Sequence, residues 1–250
     1  MKIIWLFIYI IVLLLYSCSF DETEYLSPSG ESGSTARFTI SDNYLYIVDS
    51  KRLRIFSTKN AASPEFINKT DIGFDIETIF SKNDLLFIGS KTAMYIYSIE
   101  QPENPTMLST YDHIQSVDPV VADNDYAYVS YNTNRTEYYY SYYYTPQNQI
   151  EIVDIKEPRQ PKSVSTYNLN SPKGLAISNK KLFVCDNNEV VVLNVTDPQN
   201  IYKITTLYNY DANDIIVHDT LVFLIGDNGF KQLQFKNNLF TYLSKIDINQ

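Results

Sequence analysis

The chain has 250 residues, 44% of them hydrophobic and 20% charged, with a formal net charge of -9. That length suits one large domain whose core folds without covalent staples. The acid excess argues against nucleic-acid binding, which needs a concentrated basic stripe, and no run of Lys or Arg is longer than two residues.

At the N-terminus, Lys2 precedes an unbroken apolar run of 13 residues from Ile3 to Leu15. A membrane-spanning helix needs roughly 20, so residues 1–17 are expected to be a secretory signal peptide. The run stops at "LYSC", Leu15 to Cys18. This resembles the bacterial lipobox, in which the signal is cut before a cysteine that receives lipid; Tyr16 departs from that pattern. The other reading is an ordinary signal peptide with an incidental cysteine. Residues 18–35, ending "SFDETEYLSPSGESGST", lack apolar periodicity and read as a flexible acidic tether. Asp21, Glu22 and Glu24 after Cys18 resemble the export signal that some Bacteroidetes lipoproteins use to reach the outer face of the outer membrane. Equally, they read as a solvated linker. The expected address is the cell envelope, with the protein held on a membrane, the outer one by this reading, through lipid on Cys18. Cys18 and Cys185 are the two cysteines, so lipidation of the first leaves no intramolecular disulfide.

Beyond the tether one unit recurs. "ISDNYLYIV" from Ile40, "FSKNDLLFI" from Phe80, "VADNDYAYV" from Val121, "ISNKKLFVC" from Ile177 and "VHDTLVFLI" from Val217 align at intervals of 40, 41, 56 and 40 residues. A unit of about forty residues is thus copied five times, and the third copy carries an insertion. The units run approximately 36–73, 74–115, 116–171, 172–211 and 212–250, within one domain of residues 36–250. Each reads as four short strands; in the fourth unit these are 173–177, 181–185, 189–195 and 202–208, joined by "SNK", "DNN" and "TDPQN". No helical period is sustained after Phe38.

The prediction is an all-β protein, a five-bladed β-propeller of four-stranded antiparallel blades. Radial repetition lets each sheet bury both faces, which explains why strands such as "VVVLNV" are apolar on both parities. A ring closed within one chain is favoured, because an open array would expose two apolar sheet faces. A two-sheet sandwich or part of a larger ring is the rival. Pro64, Pro105 and Pro161 fall where the last strand of a unit begins and a missing amide hydrogen costs least; Ile201 takes that place in the fourth unit.

The segments "IEIVDIKEPRQPKSVSTY", "LNVTDPQNIYKI" and "YSIEQPENPTMLSTY" resemble the LVIVD repeat of secreted and lipid-anchored bacterial propellers. The resemblance extends from Phe38 to about Ile248. It is tightest in units two to four and weakest in unit five, where "FKQLQFKNNLF" lacks both the acid and the prolines. What it implies is the fold; members of the family mostly lack an assigned activity.

In a propeller the first strand of each unit lines a central channel. Four residues before the aligned Ser41, Ser81, Ala122, Ser178 and His218 stand Arg37, Glu77, Asp118, Gly174 and Asp214. If Glu77, Asp118 and Asp214 turn inward, they surround a channel mouth suited to calcium or to sugar hydroxyls, with Arg37 as a neighbouring positive charge. Otherwise each acid caps a turn and stabilises its unit. No other cofactor is indicated. Two channel carboxylates could also serve as acid and nucleophile in glycoside hydrolysis, but sequence spacing does not set their separation.

The insertion lengthens the step from Val129 to Ile150 to 21 residues, against 6 in other units. It holds Arg135 and six tyrosines: Tyr138, Tyr139, Tyr140, Tyr142, Tyr143 and Tyr144. Tyrosine offers wide apolar area and a hydroxyl at low entropic cost, as recognition surfaces require. The same run also fits a hairpin extension with tyrosines paired across strands, although aromatic residues on both parities favour exposure. By strand order the insertion rises on the side of the three carboxylates. His113 and His218 have no partner at metal-ligand spacing, and no phosphate loop, nucleophile elbow or paired CxxC occurs. Cys185 is expected to be a buried, inert thiol.

These features point to a monomeric cell-envelope lipoprotein that binds or scaffolds without catalysis. Its expected partner is a glycan or an envelope protein, met by the insertion and the channel mouth. The alternative is a carbohydrate-active enzyme using Glu77, Asp118 and Asp214.

Overall fold

The computed structural model describes residues 33–112, 119–132 and 148–247. Among the described residues there are twenty strands and no helix. Blade 1 is β1 (Phe38–Ser41), β2 (Tyr44–Val48), β3 (Arg52–Ser57) and β4 (Glu65–Asp71). Blade 2 is β5 (Ile76–Lys82), β6 (Leu85–Ser90), β7 (Ala93–Ser98) and β8 (Thr106–Asp112). Blade 3 is β9 (Val120–Ala122), β10 (Tyr126–Asn132), β11 (Asn148–Asp154) and β12 (Lys162–Asn168). Blade 4 is β13 (Pro172–Ser178), β14 (Lys181–Asp186), β15 (Glu189–Asn194) and β16 (Tyr202–Tyr208), and blade 5 is β17 (Asp214–His218), β18 (Leu221–Gly226), β19 (Gly229–Lys236) and β20 (Leu239–Ile246). Each set is one antiparallel sheet with its strands in chain order, and the five sheets form a five-bladed β-propeller.

Local chemistry explains the blades. The hairpin between the first two strands closes with two residues in blades 1, 2, 4 and 5, as the pairs Ser41↔Tyr44, Lys82↔Leu85, Ser178↔Lys181 and His218↔Leu221 show. Such turns need left-handed backbone, and Asp42, Asn83, Asn179 and Asp219 supply it with φ between 49° and 53°. Pro64, Pro105 and Pro161 each stand directly before the outermost strand, β4, β8 or β12.

One irregularity recurs in every blade. The register between third and fourth strands shifts by one residue, leaving Ile67, Leu108, Val164, Ile204 and Leu243 as bulged residues. A bulge re-aims a side chain. Here it turns an aliphatic group toward the following blade: Ile67, Leu108, Val164 and Ile204 each pack against the cluster between their own blade and the next.

Four buried clusters join blade 1 to 2, 2 to 3, 3 to 4 and 4 to 5. In the last, Phe183, Cys185, Val190 and Val192 of blade 4 meet Ile215, Val222, Leu224 and Leu233 of blade 5, all at most 2% exposed. Burying a side chain of this size stabilises by roughly 1.5–3 kcal/mol. None of the four clusters joins blade 5 to blade 1. Blade 1 turns Phe38, Ile40, Leu45, Ile47 and Phe56 outward there, and blade 5 turns Ile216, Phe223, Ile225 and Phe230. Phe38 is 53% exposed and the fifth bulge residue, Leu243, 46%. The expectation that every sheet buries both faces therefore holds for blades 2 to 4 and fails at the outer faces of blades 1 and 5. Among the described residues no strand is shared between blades 5 and 1, so the seam lacks the pairing that would pull it shut.

Candidate functional site

The inner strands β1, β5, β9, β13 and β17 enclose a cavity of about 860 Å³, lined by residues 39–42, 80–84, 121–125, 175–180 and 215–217. Its walls are apolar in the middle, with Ile40, Phe80, Val121, Ile177 and Val217. Its mouth is ringed by the first hairpin turns, which carry Asp42, Asn83, Asp84, Asn124, Asp125, Asn179 and Lys180. Blade 3 differs at this rim, since Ala122 pairs with Ala127 across a four-residue turn. Asp123 organises that turn by accepting the amides of Asp125 and Tyr126, each at 3.0 Å. Its second oxygen accepts the Tyr128 hydroxyl at 3.0 Å and the Lys180 ammonium at 2.8 Å. Burial pushes the Asp123 carboxyl up, but the hydrogen bonds from Lys180, the two amides and Tyr128 outweigh it and hold the group below its ordinary value. Lys156 stands beside this pair, donating to the Tyr126 hydroxyl at 2.9 Å with its ammonium 4.7 Å from that ring's centre.

The other end of the channel is taken up by the chain itself. Residues 33–36 cross it before β1. Ser34 accepts the Leu175 amide of blade 4 at 2.6 Å, and Ala36 accepts the Ile79 amide of blade 2 at 2.9 Å. Thr35 donates its hydroxyl to Asp214 of blade 5 at 2.6 Å and its amide at 3.3 Å. Ser34 donates to the other Asp214 oxygen at 3.3 Å, and that oxygen also accepts the Ile215 amide at 2.9 Å. Asp214 is only 7% exposed. Its burial raises the carboxyl above the ordinary value against the lowering effect of these donors. Close packing demands glycine on both sides: a Cβ on Gly33 or Gly174 would fall onto the Asp214 carboxylate.

This geometry redistributes the residues singled out in the sequence. Asp214 spends its oxygens on the strap of residues 33–36, the turn-capping alternative in a long-range form. Glu77 is half-buried as the second residue of β5, and Arg37 is exposed just before β1, its carbonyl accepting the Val48 amide at 2.9 Å. Among the described residues no three His, Cys, Asp or Glu side chains gather closely enough to hold a metal ion. Cys18, His113, Asp118, Arg135 and the tyrosines from Tyr138 to Tyr144 lie outside the described residues. Cys185 is a buried free thiol, raised well above its ordinary pKa by desolvation.

β10 ends at Asn132 and β11 begins at Asn148, a pair that lies at the strap end of blade 3, opposite the cavity mouth; the insertion between them is outside the described residues. Ser34 and Thr35, placed with the tether in the sequence, belong to the folded domain; nothing in "GESGST" signals a partner 180 residues away. Asp123 and Lys180 read only as turn residues, because their pairing crosses 57 positions. Glu151 was also invisible: it accepts the hydroxyls of Tyr111 at 2.9 Å, Ser163 at 2.5 Å and Tyr131. Burial and this bond push Tyr111 up to about 12.

The LVIVD repeat matches residues 32–70, which is blade 1. One LVIVD repeat is thus matched, in the first unit. The match falls on the first unit, whereas the resemblance in the sequence was strongest in units two to four. No curated protein sequence matches this chain. Among solved structures, a functionally unknown protein from Desulfotomaculum acetoxidans shares 10% identity with a TM-score of 0.70, covering 87% of this chain and 71% of that one. The periplasmic gluconolactonase of Pseudomonas aeruginosa shares 11% identity with a TM-score of 0.62, covering 83% and 68%. A Bacteroides uniformis protein provisionally named a 6-phosphogluconolactonase shares 8% identity with a TM-score of 0.64, covering 84% and 70%. At these identities the likeness is one of fold alone.

Proposed function

We propose that the protein is a lipid-anchored, non-catalytic binding module of the cell envelope that takes a small hydroxyl-rich ligand into its channel from the hairpin side. The observation that carries this reading is the cavity of about 860 Å³, shut at one end by the strap and open at the other through a rim of Asn, Asp, Ser and Lys. Its size lies in the range of small-molecule sites, and an apolar throat beneath a few convergent polar groups suits a sugar, whose ring faces are apolar and whose edges donate and accept. Envelope anchorage rests on the apolar run and Cys18. The tyrosine-rich insertion between Asn132 and Asn148 is, on this reading, a second contact surface for an envelope partner.

The enzyme reading draws on the lactonase names of two structural neighbours. It gains no support from Asp214, whose oxygens are occupied.

A glycan and envelope-protein panel tests the proposal on three forms of the chain: unchanged, Ile177→Trp to fill the throat, and residues 133–147 replaced by a short turn. The expected result is a glycan held by the first and third forms, lost from the second, and recovered unaltered. Loss only from the third form would move recognition to the insertion, and turnover of the bound sugar would replace the module with an enzyme.

A further inference from the structure

The outer face of blade 5 occupies the positions that blade 4 buries. Counting 40 residues on, Ala176, Phe183, Cys185 and Val190, which face blade 5, correspond to Ile216, Phe223, Ile225 and Phe230. These remain apolar, and Phe223 and Phe230 stack with centroids 5.6 Å apart. The bulge that tucks Ile204 into the seam after blade 4 recurs in blade 5, where it presents Leu243 to solvent. Blade 1 shows the converse. Its outward Phe38, Ile40, Leu45, Ile47 and Phe56 stand 177 residues before Ile215, Val217, Val222, Leu224 and Leu233, the residues by which blade 5 receives blade 4.

A repeat array exposed to water at its ends normally carries polar outer faces on its terminal units. The outward faces of blades 1 and 5 are instead largely apolar among the described residues. One end therefore presents the surface that precedes a seam and the other the surface that follows it. Few charges lie on these faces: the blade 5 face adds the neutral Gln232, Gln234 and Ser244 with Lys236 at its exposed end, while on blade 1 Arg54 and Arg52 are paired with Asp49 at 2.9 Å and Asp71 at 3.0 Å and Lys69, opposite Arg54, is exposed.

We propose that these faces form a head-to-tail interface with a second copy of this chain, blade 5 of one copy packing on blade 1 of the next. The four internal seams are its template: Phe223, Ile225, Phe230 and Leu243 fill the places of Phe183, Cys185, Val190 and Ile204, and Phe38, Leu45, Ile47 and Phe56 meet them. The interface is heterologous, so it uses two different patches of the same molecule. This departs from the monomer expected from sequence.

Light scattering of the purified chain at low and high micromolar concentration tests it, with Phe223→Lys and Phe38→Lys beside the unchanged protein and circular dichroism as the check on folding. Both side chains are at least partly exposed, so each variant keeps its blade. The unchanged chain should associate as concentration rises, and each variant alone should be monomeric. An equimolar mixture should recover a two-chain complex, because Phe38→Lys retains an intact blade 5 face and Phe223→Lys an intact blade 1 face. A chain monomeric at every concentration overturns the proposal; slow amide exchange along β1 and β18 in that monomer would show blade 5 closing on blade 1 within one chain. Undiminished association of either variant overturns it too, in favour of pairing through the edge strand β20.

Discussion

Blades 4 and 5 share strand lengths, hairpin turns and a bulge, yet the far face of one is among the driest surfaces in the molecule and that of the other meets solvent. Phe183 is 1% exposed and packs edge-on against Phe235 at 5.0 Å, whereas its counterpart Phe223 stacks on Phe230 of its own sheet. Residue type does not distinguish the two faces, since both are apolar. The difference teaches that a repeat specifies which way a side chain points and leaves its burial to whatever stands next in space. In place of a fifth cluster, blade 1 is held to blades 4 and 5 by polar contacts near the axis, through Ser34 and Thr35.

The sharpest way to test the contrast is to truncate both rings. Phe183→Ala should cost about 3–5 kcal/mol in chemical denaturation, as large-to-small changes in a packed core do, and Phe223→Ala under about 1 kcal/mol in the monomer. Equal losses would mean that the seam after blade 5 is as well packed as the others.

Next in size is the polar substitute for that seam. Asp214→Ala leaves Ser34, Thr35 and the Ile215 amide without their acceptor and should cost about 2–3 kcal/mol. Because the folded-state pKa of Asp214 is raised, the stability it lends is fully present below the ordinary carboxylate value and declines as pH rises through the raised one. The gap between unchanged chain and variant should therefore be wider in acid than at neutral pH, and a gap that narrows in acid would show that Asp214 is not strained by burial.

The smallest effect belongs to the cavity rim. Lys180 is 42% exposed and Asp123 16%, so Lys180→Met should cost only about 0.5–1 kcal/mol at neutral pH. The lowered pKa of Asp123 reverses the pH dependence: its contribution is present above the ordinary carboxylate value and is lost as pH falls through the lowered one. Denaturation midpoints of chain and variant should thus converge in strong acid. Divergence there would assign the rim's order to the turn rather than to the ion pair.

Much of the fold was legible because it is written locally and five times over. The four strands predicted in unit four agree with β13 to β16 within one residue at each end, and the insertion falls between β10 and β11. The prolines before β4, β8 and β12 marked outer strands because only an edge tolerates a missing donor. The candidate site was less legible. Counting back four residues from the aligned His218 found Asp214 but not its use, since Ser34 and Thr35 stand before the first repeat. The cavity mouth was assigned to the side of Asp214, and the strap of residues 33–36 occupies that side instead.

What the sequence determined by itself was the unit: its length, its four strands and its turns, all consequences of short apolar runs and turn chemistry acting over a few residues. What only the tertiary structure decided was everything that depends on distant segments meeting. The strap on Asp214 spans 180 residues, the Asp123–Lys180 pair spans 57, and the unfilled seam lies between the first blade and the last. Such contacts leave no periodic trace, because each is made once, between chain segments whose separation along the sequence says nothing about their distance in space.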